Sequence, residues 1–364
     1  MGIPIYFHFT FLVIIPFLAA IFALRGPTVF GISFGYYRLD VSLIAKLLLG
    51  TVCAILFFFT ILLHELGHSF VAVRHGYKID SITLFIFGGV ARLEDQPRNE
   101  VEGWMSFVGP ATSFAVGVAL LPAALAIGEV RNPGVGLEAL GITLGILGFY
   151  NLLLGAFNLI PAFPMDGGRI LRSVLASRQG MHRGTQTAVL VGKVIAVAMA
   201  VVGMIFLELF IIFVALFIYF GASEEESVTR FTLALEGAKV RDIMNTDVLW
   251  VTPGMSLAEV LEMMIKDRRT AFPVVRDHTL VGVITAQRID EVPFDQRGTV
   301  TAEAAVDRSP PYVRSYVDAT EILKVMQDRR DYVVVLDEND ELVGSVTRDE
   351  LMRVVSVLGV RKGL

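Results

Sequence analysis

The strongest constraint on this chain is an apolar run from Leu43 to Leu63 that carries one charge, Lys46. It passes without a break into His64-Glu65-Leu66-Gly67-His68-Ser69. About 20 apolar residues in a helix suffice to cross a bilayer. Three ionisable side chains at the end of such a run are costly in hydrocarbon and mark a functional site. On a helix His64 and His68 stand one turn apart, so both imidazoles face the same side. The H-E-x-x-H pattern offers two nitrogen ligands to one Zn²⁺, and Glu65 supplies a carboxylate able to take a proton from water. The plain alternative is two chance histidines on a buried helix, and the membrane setting weighs against it.

The rest of the composition separates two halves. Hydrophobic residues make up 54% of the 364, and the apolar runs stop near Gly221. Net charge is −5, so no basic footprint points to nucleic acid. The single cysteine, Cys53, lies in an apolar run, can form no intrachain disulfide and is expected to pack. No Lys or Arg precedes the first apolar run, unlike a cleaved signal peptide.

Hydropathy predicts six transmembrane helices, at 9–24, 43–73, 104–128, 139–160, 187–205 and 206–221. The last two share the run Thr187–Gly221, about 52 Å as one helix and too long for a core of about 30 Å, so a hairpin is expected near Met204–Glu208. Arg74, Lys78, Arg92 and Arg98 follow the second span, and Arg169, Arg172, Arg178 and Arg183 follow the fourth. Only Arg25, Arg38 and Arg131 lie in loops on the other side. The positive-inside rule then puts both termini in the cytoplasm. His64 precedes Arg74 by about 15 Å of helix, below the membrane surface on the cytoplasmic side.

A third ligand would hold a metal with one position open. The candidate is Asp166, in Asn158-Leu159-Ile160-Pro161-Ala162-Phe163-Pro164-Met165-Asp166-Gly167-Gly168, where prolines and glycines break the fourth span. Irregular backbone at membrane depth is tolerated where it lines a cavity. The competing reading is a plain helix end with an Asp-Gly turn.

Together, His64-Glu65-x-x-His68 and Asn158-x-x-Pro161-x-x-Pro164-x-Asp166-Gly167 resemble the site-2 protease family of intramembrane zinc metalloproteases. Gly109-Pro110-Ala111-Thr112-Ser113-Phe114 and the opening Gly2–Thr10 resemble further parts of that family, over roughly residues 1–221. The resemblance implies one zinc per chain on His64, His68 and Asp166, Glu65 as catalytic acid/base, and a transmembrane segment of another protein as substrate. It also suggests a role for Asn158 near the substrate or the metal, against the alternative of a helix-capping amide. His8 reads more simply as a packed histidine. Residues 79–94 read as a hairpin, forming with Ile3–Phe9 a small sheet at the membrane face whose edge could take an unwound substrate as an added strand.

After a linker over 222–237 comes an internal repeat. A helix with Leu257, Val260, Leu261 and Met264 on one face ends at Arg268-Arg269. Its counterpart, Ala319–Met326, leads to Arg329-Arg330, 61 residues on. Strands at Phe272–Arg276 and Leu280–Thr285 match Tyr332–Leu336 and Leu342–Thr347. This pair, at 238–294 and 295–364, resembles tandem cystathionine-β-synthase (CBS) domains, which often bind ATP or AMP and often dimerise. The resemblance places a ribose-binding aspartate where this chain has Arg288 and Glu350. Arg288 is donor-only, whereas Glu350 can accept.

The expected fold is a polytopic α-helical membrane protein with a small membrane-associated β-sheet, followed by a soluble α/β tandem CBS pair. The leading functional expectation is an intramembrane zinc endopeptidase. The alternatives are a CBS-regulated channel or transporter with a structural zinc site, and a zinc-dependent binding protein that has lost catalysis.

Overall fold

The computed structural model describes residues 3–362 apart from 27, 30–31, 86–87, 94–96, 278 and 327–330. The chain divides into two compact units, Met1–Glu226 and Ser227–Leu364.

The first unit runs β1 (Ile5–Phe7), α1 (Phe9–Leu24), a short ribbon of β2 (Thr28–Val29) and β3 (Ile32–Ser33), and α2 (Leu43–Arg74). It continues with β4 (Ile79–Phe85), β5 (Gly88–Leu93), α3 (Asn99–Gly128), α4 (Val135–Asn158), α5 (Asp166–Gln179), α6 (Met181–Ile205) and α7 (Leu209–Leu235), whose last residues belong to the second unit. The Ser42 hydroxyl caps α2 by accepting from the Ala45 N–H. The 32 residues of α2 make about 48 Å of helix, enough to cross a bilayer and project from it.

Among the described residues four helices are long and apolar enough to cross a membrane: α2, α3, α4 and α6. Six were expected. The first expected span is α1, with the boundaries read from the sequence, but its 16 residues give only about 24 Å. The sixth begins α7, whose apolar stretch gives way to Glu224-Glu225-Glu226 while the helix continues to Leu235. The break between the last two falls where the run length requires it: α6 ends at Ile205, Leu207 takes φ +53°, and α7 starts at Leu209.

A second difference follows α4. Residues 159–165 leave the helix as their prolines demand, but the chain regains it at once in α5. Arg169, Arg172 and Arg178 therefore sit on a 14-residue helix rather than in a loop. Gly167-Gly168 reads locally as a stop, yet Asp166 in a first turn is favoured by the helix dipole.

The expected membrane-face sheet has strand order β1-β4-β5. β1 runs parallel to β4 with Ile5 opposite Ile82, and β5 runs antiparallel with Ala91 opposite Ile82. Phe22, Cys53, Ala54 and Ile146 share a core cluster joining α1, α2 and α4. Cys53 is fully buried there, a packing residue as expected. In the same cluster the Tyr36 and Thr143 hydroxyls lie 2.6 Å apart.

The second unit contains two copies of one motif. The first has α8 (Val240–Ile243), α9 (Leu257–Asp267), β6 (Ala271–Arg276), β7 (Thr279–Thr285) and α10 (Ala286–Asp290). The second has α11 (Ala302–Ala305), β8 (Tyr312–Arg314), α12 (Glu321–Met326), β9 (Tyr332–Leu336), β10 (Leu342–Thr347) and α13 (Arg348–Lys362). Ser256 and Glu259 close a capping box on α9, and Leu257, Val260 and Met264 form its buried stripe. Val251 bridges Val274 in parallel, as β8 pairs with β9, so the copies match strand for strand. The second arginine pair, Arg329-Arg330, lies outside the described residues.

Candidate active site

His64 and Glu65 are neighbours in one turn of α2 and His68 stands on the next, and Asp166 reaches them from the first turn of α5. His64 is 4% exposed and Glu65 9%. One carboxylate oxygen of Asp166 lies 3.2 Å from His64 Nε2 and 3.3 Å from His68 Nε2. The Glu65 carboxylate shares this cluster, its ligand atom and those of both histidines lying within 4.8 Å of one another.

The outer nitrogens of both rings are held by α3. His68 Nδ1 donates to the Met105 carbonyl at 2.8 Å, which leaves Nε2 as the nitrogen free to take a metal. His64 Nδ1 lies 2.9 Å from the Ser113 hydroxyl. Met105, Gly109 and Ser113 follow one another at four-residue spacing, so one face of α3 meets the 64/68 face of α2. Gly109, between the two anchors, makes this approach possible: a Cβ there would lie 2.2 Å from His68 Cε1 and 2.8 Å from His64 Nε2. Neither anchor was assigned from sequence. Ser113 belongs to the Gly109–Phe114 motif, which the sequence offers without a role for the serine itself, and a backbone carbonyl such as that of Met105 has no side-chain signature.

The donor set fits zinc. Ligands at about 2.0–2.2 Å in a tetrahedron stand about 3.3 Å apart, close to the N···O separations found here. Two imidazoles and one carboxylate leave a fourth position open, the arrangement of a catalytic zinc.

The cluster opens into a cavity of about 880 Å³, bounded also by Gly88–Ala91 of β5, by Leu154, Phe157 and Asn158 at the end of α4, and by Phe210, Phe213 and Phe217 of α7. Asn158 faces this cavity, but one amide N–H of it donates to the Leu154 carbonyl of its own helix at 3.0 Å. His8 serves as the N-cap of α1, its ring 2.9 Å from the Thr10 hydroxyl.

In the second unit the two positions expected to meet ribose differ. Arg288 pairs with Glu291 at 3.0 Å. Glu350 accepts from Asn245 at 2.7 Å and from the Thr347 N–H and hydroxyl at 2.9 and 2.8 Å. Burial pushes the Glu350 carboxyl up, but the bonds from Asn245 and Thr347 outweigh it and hold it below its ordinary range, so it is an ionised acceptor at neutral pH.

These arrangements agree with what the chain is similar to. Peptidase family M50 matches residues 52–140 and 136–202, and the CBS domain matches 240–293 and 302–357. The chain is 35% identical to a zinc metalloprotease of Methanocaldococcus jannaschii over 364 residues, covering all of this chain and 96% of the other. It is 30% identical to Rip3 of Mycobacterium tuberculosis over 326 residues, 85% of this chain and 81% of that one. A solved site-2 protease from M. jannaschii shares 38% identity, covering 62% of this chain and 92% of its own, with a TM-score of 0.42. With the metal-fitting cluster on α2 and α5 and the duplicated soluble unit, this similarity shows that the chain belongs to peptidase family M50, the site-2 type of zinc metalloendopeptidase, and carries tandem CBS domains.

Proposed function

We propose that this protein hydrolyses a peptide bond in or near the transmembrane segment of another membrane protein. His64, His68 and Asp166 hold the zinc and Glu65 acts as acid/base. The observation that carries this reading is the convergence of two histidine nitrogens and the Asp166 carboxylate on one point, at a cavity walled by membrane-length helices. When bound, zinc supplies a Lewis acid that polarises a carbonyl and makes water a better nucleophile. Glu65 accepts the proton from the attacking water and returns it to the leaving amine. Asn158 keeps its second amide N–H for a substrate carbonyl. The chain crosses the membrane several times, with both termini and the CBS pair cytoplasmic, as the eight-to-three distribution of basic residues between the expected spans supports. A channel would string polar groups along a pathway, whereas His64, Glu65, His68 and Asp166 meet at one point with zincin spacing.

The test is purified protein with a tagged single-span substrate. A product should appear with zinc, vanish with chelator and return when zinc is restored. Undiminished cleavage by protein shown to be free of metal would sink this reading.

Strand capture gives the substrate route. Residues 88–91 of β5 line the cavity beside Glu65, and β5 ends the sheet, so an unwound segment can add there through main-chain hydrogen bonds. Adjacent strand residues turn their N–H groups to opposite sides. Of Val90→Pro and Ala91→Pro, one therefore spares the pairing with β4 and removes only an edge donor. That variant should lower cleavage several-fold with zinc content unchanged. Wild-type rates in both would remove the edge from the mechanism.

For the soluble unit we infer one adenine-nucleotide site per chain, at the cleft of Glu350. This carboxylate has about four acceptor positions and uses three. Arg288 offers none. Calorimetry with ATP and AMP should give one site, lost in Glu350→Ala. Two equal sites, or binding that survives Glu350→Ala, would refute the assignment. Light scattering of the full chain tests the accompanying expectation of a homodimer.

A further inference from the structure

The cleavage chemistry leaves one buried charge on α5 unused. Arg172, six residues after Asp166, is 8% exposed. Its two terminal nitrogens donate to different helices, one to Glu102 of α3 and one to Glu225 of α7. Its guanidinium also lies 5.2 Å from the ring centroid of Phe163, in the turn that leads into Asp166. A buried arginine between two carboxylates adds little stability over a well-packed apolar contact, but it fixes geometry because each partner constrains the planar fork.

Attachment to α3 has other means. The Asn99 amide donates to the Ser173 carbonyl at 3.0 Å, and the Ser173 hydroxyl donates to the Asn99 carbonyl at 2.7 Å. What Arg172 adds is α7. On that helix Gly221 stands one turn before Glu225, on the same face. It presses on the same turn: a Cβ there would lie 2.5 Å from Pro164 Cδ and 3.0 Å from Pro164 N. Helix α7 thus touches the chain two residues before Asp166, at Pro164, and six residues after it, at Arg172.

We propose that Arg172 is a positioning residue through which α7 sets the Asp166 carboxylate against the two histidines, so that displacing α7 loosens the metal site. This rests on the reading of Asp166 as a zinc ligand. Removing Arg172 would strand the buried carboxylate of Glu102 and the half-buried one of Glu225 and risks unfolding, so gentler variants on α7 test the idea.

The measurement is the zinc dissociation constant of the full-length chain by chelator competition, with hydrogen exchange of α2 in the zinc-free protein confirming that each variant folds. Glu225→Gln weakens one arm of the fork, and Gly221→Ala pushes α7 off Pro164. Each should weaken zinc about tenfold, within the range for partners that orient metal ligands. Lys193→Met breaks a different ion pair of α7, to Glu226 at 2.6 Å, and should leave the constant unchanged. Asp166→Asn is the control on the underlying reading and should weaken zinc far more. Should Asp166→Asn bind zinc normally, the ligand assignment fails. If it loses zinc while Glu225→Gln and Gly221→Ala bind like wild type, or if Lys193→Met weakens zinc as much as they do, the positioning role of Arg172 fails and the assignment stands.

Discussion

Glu65→Gln should lower the cleavage rate by about two to four orders of magnitude and leave zinc in place. The two side chains have the same size and shape, so packing survives. That matters because Glu65 is nearly buried and its chain rests on Gly89 of β5, where a Cβ would come within 2.4 Å of Glu65 Cγ. What the amide loses is the capacity to take up a proton. The proposed zinc ligands His64, His68 and Asp166 are untouched, so metal content should match wild type. A rate within tenfold of wild type would move the acid/base role to another group. A transporter with a structural zinc would show the opposite pattern, with flux retained in the variant.

Gly109→Ala should damage the site from the other side. The new methyl would stand 2.2 Å from His68 Cε1, 2.3 Å from its Nε2 and 2.8 Å from His64 Nε2. Neither ring can simply turn away, because His68 is anchored on the Met105 carbonyl and His64 on Ser113. Either an anchor breaks or α3 retreats from α2. Zinc affinity should fall at least about tenfold, with cleavage falling in step. Gly128→Ala, at the far end of the same helix, meets no atom within 4 Å and should bind zinc like wild type. Equal behaviour of the two variants would mean that close contact at Gly109 does not govern the metal site.

Much of this site was legible in the sequence because its parts are local. An H-E-x-x-H inside a hydrocarbon-length run gives both the helix and the face, and the prolines before Asp166 give the break that lets a second segment arrive. The interruption near Leu207 followed from run length against bilayer thickness. The features that escaped depend on distant partners. Arg172 looked like one basic loop residue among several, since Glu102 and Glu225 lie 70 and 53 residues away. Helix α5 was hidden by two glycines that locally read as a stop. The parallel pairing of β1 with β4 joins Ile5 to Ile82, a register that no local pattern encodes.

The position of β5, at the end of its sheet and along the cavity, bears on how such an enzyme tells one target from another. In the proposed strand capture, main-chain pairing is indifferent to side-chain identity, so the edge would accept nearly any peptide once it is extended. Discrimination then shifts to the step before docking, the work of fraying a helix in lipid. Targets should be sorted by how readily they uncoil: a segment with Gly, Pro or Asn near its cytoplasmic end offers free carbonyls, whereas an unbroken leucine-rich span keeps its own hydrogen bonds and passes by.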